Sequence, residues 1–121
     1  MLADVTEIAL VAADWRTRAL LRAQLIEEGF AVKAFESIHD AAEAFAGAAE
    51  PGLLLVELSG GESSAELEQL SAWAARVPVW VIASRSLGGA AGLGERGFER
   101  ILFRPIDVGE LVEQIKRRTG P

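Results

Sequence analysis

Five short apolar runs are separated by longer stretches in which apolar residues recur every three or four positions. The runs have the length and continuous hydrophobic character of buried strands. The stretches between them predict helices, because their apolar side chains fall on one face of a helix. The predicted strands cover residues 8–11, 31–35, 53–57, 79–82 and 100–103, and the clearest helices cover residues 15–28, 38–48, 64–75 and 108–118.

Strands that alternate with helices predict a parallel sheet, because a parallel return needs a crossover connection. The chain has 121 residues, the usual size of one domain, and contains no internal repeat and no linker-like segment. We therefore predict a single domain over residues 1–121. Its fold class is α/β, with helices on both faces of a five-stranded parallel sheet.

Residues that begin or end helices stand at the predicted boundaries. Asp14, Ser37 and Asp107 each precede a helix and can cap it through a side-chain oxygen. The last two are followed by an acidic residue three positions later, the spacing of a capping box. Gly29 follows the first helix, at the position where a left-handed residue ends many helices.

The helical stretches also predict which side chains pack on the sheet. Leu20, Leu21 and Leu25 are expected to face inward from the first helix. Trp73 and Trp80 are expected to pack in the core. The apolar positions of the last helix form one stripe: Val108, Leu111, Val112 and Ile115.

The segment between the fourth and fifth strands is rich in glycine where the alternation calls for a helix. Gly88, Gly89, Gly92 and Gly94 each cost a helix up to about 1 kcal/mol relative to alanine. We therefore expect a short or partly unwound fourth helix. Residues 92–97 also spell the dinucleotide pattern G-x-G-x-x-G. That pattern binds a nucleotide when it directly follows a strand and opens a helix, and here a strand comes next, so nucleotide binding is not expected.

Composition narrows the classes of function. Half of the residues are hydrophobic, and the formal net charge is −6. An acidic chain is a poor ligand for nucleic acid or an anionic membrane, so we expect neither as a direct partner. The absence of cysteine excludes disulfides and thiolate metal sites. No run reaches the ~20 apolar residues of a membrane span, and no basic secretory signal opens the chain, so we predict a cytoplasmic domain.

The carboxyl ends of parallel strands meet at one edge of a sheet, where open α/β folds place their sites. Glu57 leaves the end of the most apolar strand, and Arg104 follows the last strand. The only histidine, His39, falls in the first turn of a helix, so no nucleophile–histidine set is predicted. The remaining residues expected at this edge follow the first and fourth strands: Ala12, Ala13, Asp14, Ala83 and Ser84.

With this order of elements, the chain resembles the CheY-like receiver domains of response regulators, the phosphorylation modules of two-component signalling. The resemblance covers about residues 5–118. Residues 8–30 match the first strand and helix, and residues 53–57 match the strand that ends in the phosphoacceptor. Residues 78–84 match the fourth strand, and residues 97–106 end in Arg-Pro-Ile where the family has Lys-Pro-Phe. The resemblance implies a flavodoxin/CheY-like (βα)5 fold with a doubly wound five-stranded parallel sheet.

The residues that carry the family's chemistry are mostly replaced. Receiver domains hold a magnesium ion with two acidic residues after the first strand, and the matching positions are Ala12 and Ala13. Asp14 is acidic but lies one place later. The family's phosphoacceptor aspartate corresponds to Glu57, and its lysine corresponds to Arg104.

Two further positions of the family's switch are also changed. The hydroxyl that contacts the phosphoryl group corresponds to Ala83, with Ser84 beside it, and the switch aromatic corresponds to Ile101. Magnesium needs several oxygen ligands, and without it the charge of a transferring phosphoryl group is poorly neutralised. We therefore predict no metal, no cofactor and no catalytic residue. Our hypothesis is that Glu57 and Arg104 instead form a permanent pair with two parallel hydrogen bonds.

These departures predict a pseudo-receiver that regulates by protein–protein interaction, independently of phosphorylation. Its partner surface is expected on the fourth helix, fifth strand and fifth helix, with a homodimer through that face as one option. Trp15 is expected either to cover the altered pocket or to pack on a surface helix. Two alternatives stay open. The chain could still accept phosphate or a metal through Glu57, Asp14 or Ser84, or it could be a dimerisation module of a longer transcriptional regulator.

Overall fold

The computed structural model describes residues 6–86 and 92–120. Strands and helices alternate as the sequence predicts. The elements are β1 (Glu7–Val11), α1 (Trp15–Glu27), β2 (Ala31–Phe35), α2 (Ile38–Phe45), β3 (Leu53–Glu57), α3 (Ser64–Ala74), β4 (Val79–Ala83), β5 (Arg100–Phe103) and the C-terminal helix (Val108–Thr119).

The five strands pair in parallel in the order β2-β1-β3-β4-β5. The chain moves outward from β1 to β2, then returns past β1 to β3, which is the reversal that defines a doubly wound sheet. Val11, Val56 and Val81 lie in register across the three central strands, and Glu57 is in register with Ile82. The predicted fold is confirmed, and the carboxyl ends of β1, β3 and β4 meet at one edge.

Successive side chains of the strands enter two apolar layers, one on each face of the sheet. Val56 and Trp73 belong to the layer under α2 and α3, whereas Leu55 and Trp80 belong to the layer under α1 and the C-terminal helix. Burial of one such leucine or valine contributes about 1.5–3 kcal/mol relative to exposure. Because both faces of β3 and β4 are covered, these strands form unbroken apolar runs. The predicted core positions of the two tryptophans are confirmed.

The predicted caps form, but one predicted core residue does not pack. The side chains of Asp14, Ser37 and Asp107 each accept a hydrogen bond from the backbone N–H three residues later. Leu21 is fully buried, whereas Leu20 is 50% exposed, so its predicted inward position is wrong. Neighbouring residues of a helix point to different faces, and Leu21 with Leu25 already fills the face toward the sheet.

Part of the glycine-rich segment can be compared with its prediction. Arg85 and Ser86 are helical, and Leu93–Glu95 form one turn of 3-10 helix before β5. Gly92 has a left-handed φ of +62°, a conformation that glycine adopts without steric cost. The proposed breakers Gly88 and Gly89 lie outside the described residues. Within residues 6–86 and 92–120, no helix is long and apolar enough to cross a membrane.

Candidate functional site

Glu57 is the last residue of β3 and stands at the sheet edge where β1 and β4 also end. Its side chain is 15% exposed. It borders a shallow cavity of about 140 Å³ that also touches the loops after β1 and β2 and the start of α3. The structure thus places the predicted residue at the predicted edge.

Arg104 lies close to Glu57 but makes no hydrogen bond to its carboxylate. The Arg104 Nη1 atom lies 3.6 Å from the Glu57 Oε2 atom, too far for a hydrogen bond. The hydrogen bond of this guanidinium goes elsewhere, because Nη2 donates to the carbonyl of Leu58 over 2.9 Å. The expected pairing of Glu57 with Arg104 is thus present as an ion pair, whereas the expectation of two parallel hydrogen bonds between them is wrong. The pair is a loose ion pair, and the arginine's firm contact is with the backbone.

Burial raises the pKa of Glu57 above its ordinary value. The positive charge of Arg104 opposes this rise, while the negative charges of Asp14 and Glu62 add to it. Because the pKa of Glu57 still rises overall, the positive charge of Arg104 does not fully offset the desolvation of the carboxylate. Glu57 is thus a destabilised carboxylate rather than half of a strong salt bridge.

The acidic residue after β1 is hydrogen-bonded to the first turn of α1. The Asp14 carboxylate is exposed and accepts hydrogen bonds from the backbone N–H and the hydroxyl of Thr17, over 3.1 and 2.8 Å. These bonds lower the pKa of Asp14 below its ordinary value. The expectation that Asp14 caps α1 is confirmed, and both bonds are made to the same carboxylate oxygen, Oδ2.

A guanidinium, not a carboxylate, organises the end of β1. Arg18 donates from Nη1 to the carbonyl of Ala12 over 2.7 Å and to that of Ala13 over 3.3 Å. Ala12 is fully buried and Ala13 is exposed, and neither side chain can bind a cation. The backbone oxygens at this edge therefore already have a fixed positive partner.

The loop after β3 closes on the side chain of Glu62. Its carboxylate accepts from the backbone N–H and hydroxyl of Ser59, over 2.8 and 2.9 Å, and from the N–H of Gly60, over 2.9 Å. Burial would raise the pKa of Glu62, but these donors outweigh it and hold the pKa below its ordinary value. A charged carboxylate from the chain itself thus occupies the amide donors that follow Glu57.

The remaining family-matched positions carry no phosphate-binding group. Ala83 is fully buried, and its carbonyl accepts from the N–H of Arg104 over 2.9 Å. The Ser84 hydroxyl lies 3.1 Å from that of Ser86. Ile101 is partly buried and packs against the layer of α2 and α3, so the aromatic position is filled by ordinary core packing.

The cavity beside Glu57 is lined by carboxylates without a compensating cation among its lining residues. Glu36, Glu57, Glu62 and Glu66 all border it. Two of them are engaged in hydrogen bonds, because Glu62 closes the β3–α3 loop and Glu66 accepts from the Ser63 N–H in a capping box. The charge that faces this space is negative, which opposes entry of an anion.

The magnesium site of receiver domains does not fit these residues. The two positions after β1 are alanines, Asp14 is bound to Thr17, and Glu57 is the one carboxylate at the matched positions. In the part of the chain that the structure describes, no three acidic, histidine or cysteine side chains are grouped to hold a metal ion. A hard divalent ion needs more oxygen ligands than this edge presents.

Comparison with known proteins gives structural neighbours only. No family model matches the chain, and no curated protein matches it. A CheY-like receiver domain protein from Methanospirillum hungatei superposes with a TM-score of 0.80 at 17% identity, covering 95% of this chain and 94% of that one. The chain has the receiver-domain fold. At this identity the likeness concerns the fold alone.

Two further neighbours carry ligands in their solved structures. TrrA from Thermotoga maritima, a response regulator solved with Mg²⁺ and BeF, gives a TM-score of 0.75 at 20% identity, covering 93% of this chain and 98% of that one. NtrX from Brucella abortus, solved with ADP, gives 0.77 at 19% identity. The superposition with NtrX includes 94% of this chain but only 27% of NtrX.

Sequence reasoning missed two residues that shape the site, Arg18 and Glu62. Arg18 has a recognisable signal, since it lies three residues before the buried Leu21 and thus places a positive charge beside the inward face of α1. Ser59 and Glu62 have the S-x-x-E spacing in which a glutamate reaches back to a backbone N–H. Of the two alternatives for Trp15, covering the pocket is wrong, because Trp15 does not line the cavity; it lies exposed on the surface helix α1.

Proposed function

We propose that this chain is a pseudo-receiver, a cytoplasmic two-component-type regulatory domain that works without phosphorylation and without catalysis. The proposal rests on one observation: backbone groups at the carboxyl edge of the sheet are hydrogen-bonded to side chains of the chain itself. Arg18 binds the carbonyls after β1, Arg104 binds the carbonyl after Glu57, and Glu62 binds the next two amides. The groups that a phosphoryl ligand and its metal would contact therefore have protein partners.

Electrostatics supports the same conclusion. A phosphoryl group brings additional negative charge, and the cavity beside Glu57 is lined by carboxylates. Catalysis of phosphoryl transfer relies on metal ions and positive side chains to neutralise that charge. Ala12 and Ala13 offer no ligand for the metal, and Arg104 is already bound to Leu58. Phosphorylation at Glu57 is thus disfavoured by both charge and coordination.

A fixed site can set the shape of the surface beside it. Arg104 follows β5 directly, so its bond to Leu58 ties the end of β5 to the loop after β3. Phe103, one residue earlier, lies under the guanidinium of Arg85 at 5.5 Å. Between β5 and the C-terminal helix runs an open groove of about 280 Å³, lined in part by Leu102 and Gln114. We place the binding surface for a regulatory protein partner here.

The sequence predicts a partner surface on the fourth helix, the fifth strand and the fifth helix, which is the C-terminal helix. The groove lies on the β5 and C-terminal-helix part of that surface. Residues 87–91 of that surface lie outside the described residues. The groove combines apolar and charged side chains, as interfaces of regulatory partners do. A homodimer through this surface stays a prediction.

The alternative of an unorthodox phosphate or metal acceptor finds less support. It needs Asp14 or Ser84 to assist Glu57, and Asp14 is bound to Thr17 while Ser84 contacts Ser86. The two hypotheses differ in a direct measurement. Intact-protein mass spectrometry after incubation with acetyl phosphate and Mg²⁺ detects an acyl phosphate on Glu57.

We expect no mass gain for the wild type under conditions that phosphorylate a receiver domain with the family's acidic pair. Glu57→Gln is the matched control, because it removes the acceptor oxygen with almost no change in size. A gain of one phosphoryl group that disappears in Glu57→Gln contradicts the proposal and favours the alternative.

A further inference from the structure

The helix α1 has two apolar faces, of which the sheet covers one. Leu21 and Leu25 pack beneath the helix and are fully buried. On the outer side, Trp15 is 63% exposed and Ile26 is 43% exposed. Exposed apolar side chains indicate an interaction surface when they form a contiguous patch rather than scattered single residues.

The outer side chains form a continuous stripe. Trp15, Ala19, Ala23 and Ile26 follow one another at intervals of four, four and three residues, which places them on one face of the helix. All four are exposed, and the two alanines lie between the large end residues. Small central residues allow another helix to approach closely, while Trp15 and Ile26 supply the apolar area at the two ends. We call these four residues the α1 stripe.

Charges of opposite sign flank the two ends of the α1 stripe. Arg16 lies at the beginning of α1 and Glu27 at its end, eleven positions later along the same side of the helix. Among the described residues neither takes part in an ion pair. Arg16 lies over the ring of Trp15 at 5.5 Å and its charge acts on nearby Asp14. The carboxylate of Glu27 is exposed.

We propose that the α1 stripe is the interface of a homodimer in which two copies of α1 pack antiparallel. A two-fold axis at the middle of the helix places Trp15 of one protomer against Ile26 of its partner, and the alanines meet at the centre. The same two-fold rotation brings Arg16 of each protomer beside Glu27 of the other, so this contact occurs twice in the dimer. The stripe is therefore complementary to itself in shape order, and the flanking charges Arg16 and Glu27 are complementary across the axis, as an isologous interface requires.

This interface is separate from the groove and from the Glu57 site. The α1 stripe points away from the sheet, whereas Arg18 on the inner side of the same helix holds the loop after β1. Dimerisation through α1 therefore leaves the β5 groove open for a different protein. A dimer would present two such grooves.

Charge reversal tests the proposal directly. Sedimentation equilibrium over a range of protein concentrations gives the dimer dissociation constant of the wild type, of Arg16→Glu, of Glu27→Arg and of the double variant. Each single change converts two attractive contacts into two repulsions, and the double change restores attraction with the signs exchanged. We expect each single variant to raise the dissociation constant at least about tenfold and the double variant to return within about threefold of the wild type.

Three outcomes overturn the proposal. The wild type could remain monomeric up to about 1 mM, a concentration at which even weak specific complexes form. The single variants could dimerise as well as the wild type. A dimer could instead persist in them and be lost in Glu110→Arg, a change at an exposed residue that lines the β5 groove, which would place the contact there. Because Arg16 and Glu27 are exposed, circular dichroism melting at low protein concentration, where every species is monomeric, is expected to be the same for the wild type and the three charge variants, and a loss of structure in any of them would be visible there.

Discussion

Arg104 is bound to the backbone beyond Glu57 more firmly than to Glu57 itself. Its Nη2 atom donates to the carbonyl of Leu58 over 2.9 Å, whereas its Nη1 atom stays 3.6 Å from the carboxylate. Lysine has one ammonium group and cannot make these two contacts in the same geometry. The arginine therefore fixes the loop after β3 whether or not Glu57 is charged.

Replacement of Glu57 by glutamine is expected to stabilise the protein at neutral pH. Burial raises the pKa of Glu57, so the folded state tolerates its ionised form poorly, and the neutral amide removes this cost. We expect a gain of about 0.5 kcal/mol in the free energy of unfolding at pH 7, measured by urea denaturation. A stabilising salt bridge to Arg104 would give a loss instead.

The effect of Glu57→Gln should also depend on pH. The folded-state pKa of Glu57 is raised, so its destabilising effect is fully present above that pKa. As the pH falls through it, the folded protein takes up a proton before the unfolded chain does. The advantage of the glutamine variant should therefore shrink toward pH 4. An advantage that grows on acidification would contradict the raised pKa.

Replacement of Glu62 by glutamine is expected to have the opposite sign. Three donors hold the charged carboxylate and keep its pKa low, and a glutamine side chain has only one oxygen to offer them. We expect a loss of about 1 kcal/mol at pH 7 by urea denaturation. The stabilisation is present above the ordinary pKa of 4.5 and disappears as the pH falls through the lowered folded value.

Glu68→Gln is a suitable control for this variant, because Glu68 is an exposed glutamate on α3. It should change the free energy of unfolding by less than about 0.5 kcal/mol. Equal losses from both substitutions would show that the bonds to Ser59 and Gly60 contribute nothing specific.

Replacement of Arg104 by lysine is expected to loosen the loop after β3. The charge is kept, but the hydrogen bond to Leu58 is lost. Hydrogen exchange should speed up at the amides of residues 59–61, and the free energy of unfolding should fall by about 1 kcal/mol. Arg22→Lys is the matched control, because Arg22 is exposed on α1. Unchanged loop exchange in Arg104→Lys would show that the bond to Leu58 does not hold the loop.

The neighbouring leucines of α1 give a sharp test of its orientation. Leu21→Ala opens a cavity in the layer shared with the C-terminal helix and should cost about 2–5 kcal/mol. Leu20→Ala removes a half-exposed side chain and should cost less than about 1 kcal/mol. Thermal melts at low protein concentration measure both in the monomer. Similar losses would mean that Leu20 is buried after all.

Sequence patterns predict the fold well because the decisive signals are long and redundant. The run Leu53–Glu57 is apolar on both faces, and a strand covered on both faces is the simplest interpretation of such a run. The cap residues Asp14, Ser37 and Asp107 add boundaries that depend on local contacts only. The exception, Leu20, arises because three apolar residues in α1 compete for one inward face, and spacing alone does not choose between adjacent positions.

The site is less predictable, because its bonds join residues that are distant in the chain or depend on side-chain reach. Topology places Glu57 and Arg104 at one edge, but the partner of Arg104 is a backbone carbonyl that carries no sequence signal. Arg18 reaches six residues back to Ala12, which no helical spacing rule describes. Residue types therefore indicate which groups are near Glu57, and only the three-dimensional structure shows which of them bind.

The central claim, that the site is satisfied internally and needs neither metal nor phosphoryl group, can be tested by NMR. Amide spectra of the ¹⁵N-labelled chain are recorded with and without Mg²⁺ and beryllofluoride, the pair found with TrrA. We predict that the amide signals of Ser59, Gly60, Ala83 and Arg104 keep their positions at millimolar additions. Saturable shifts centred on these residues, and absent in Glu57→Gln, would contradict the account and show a ligand-responsive receiver.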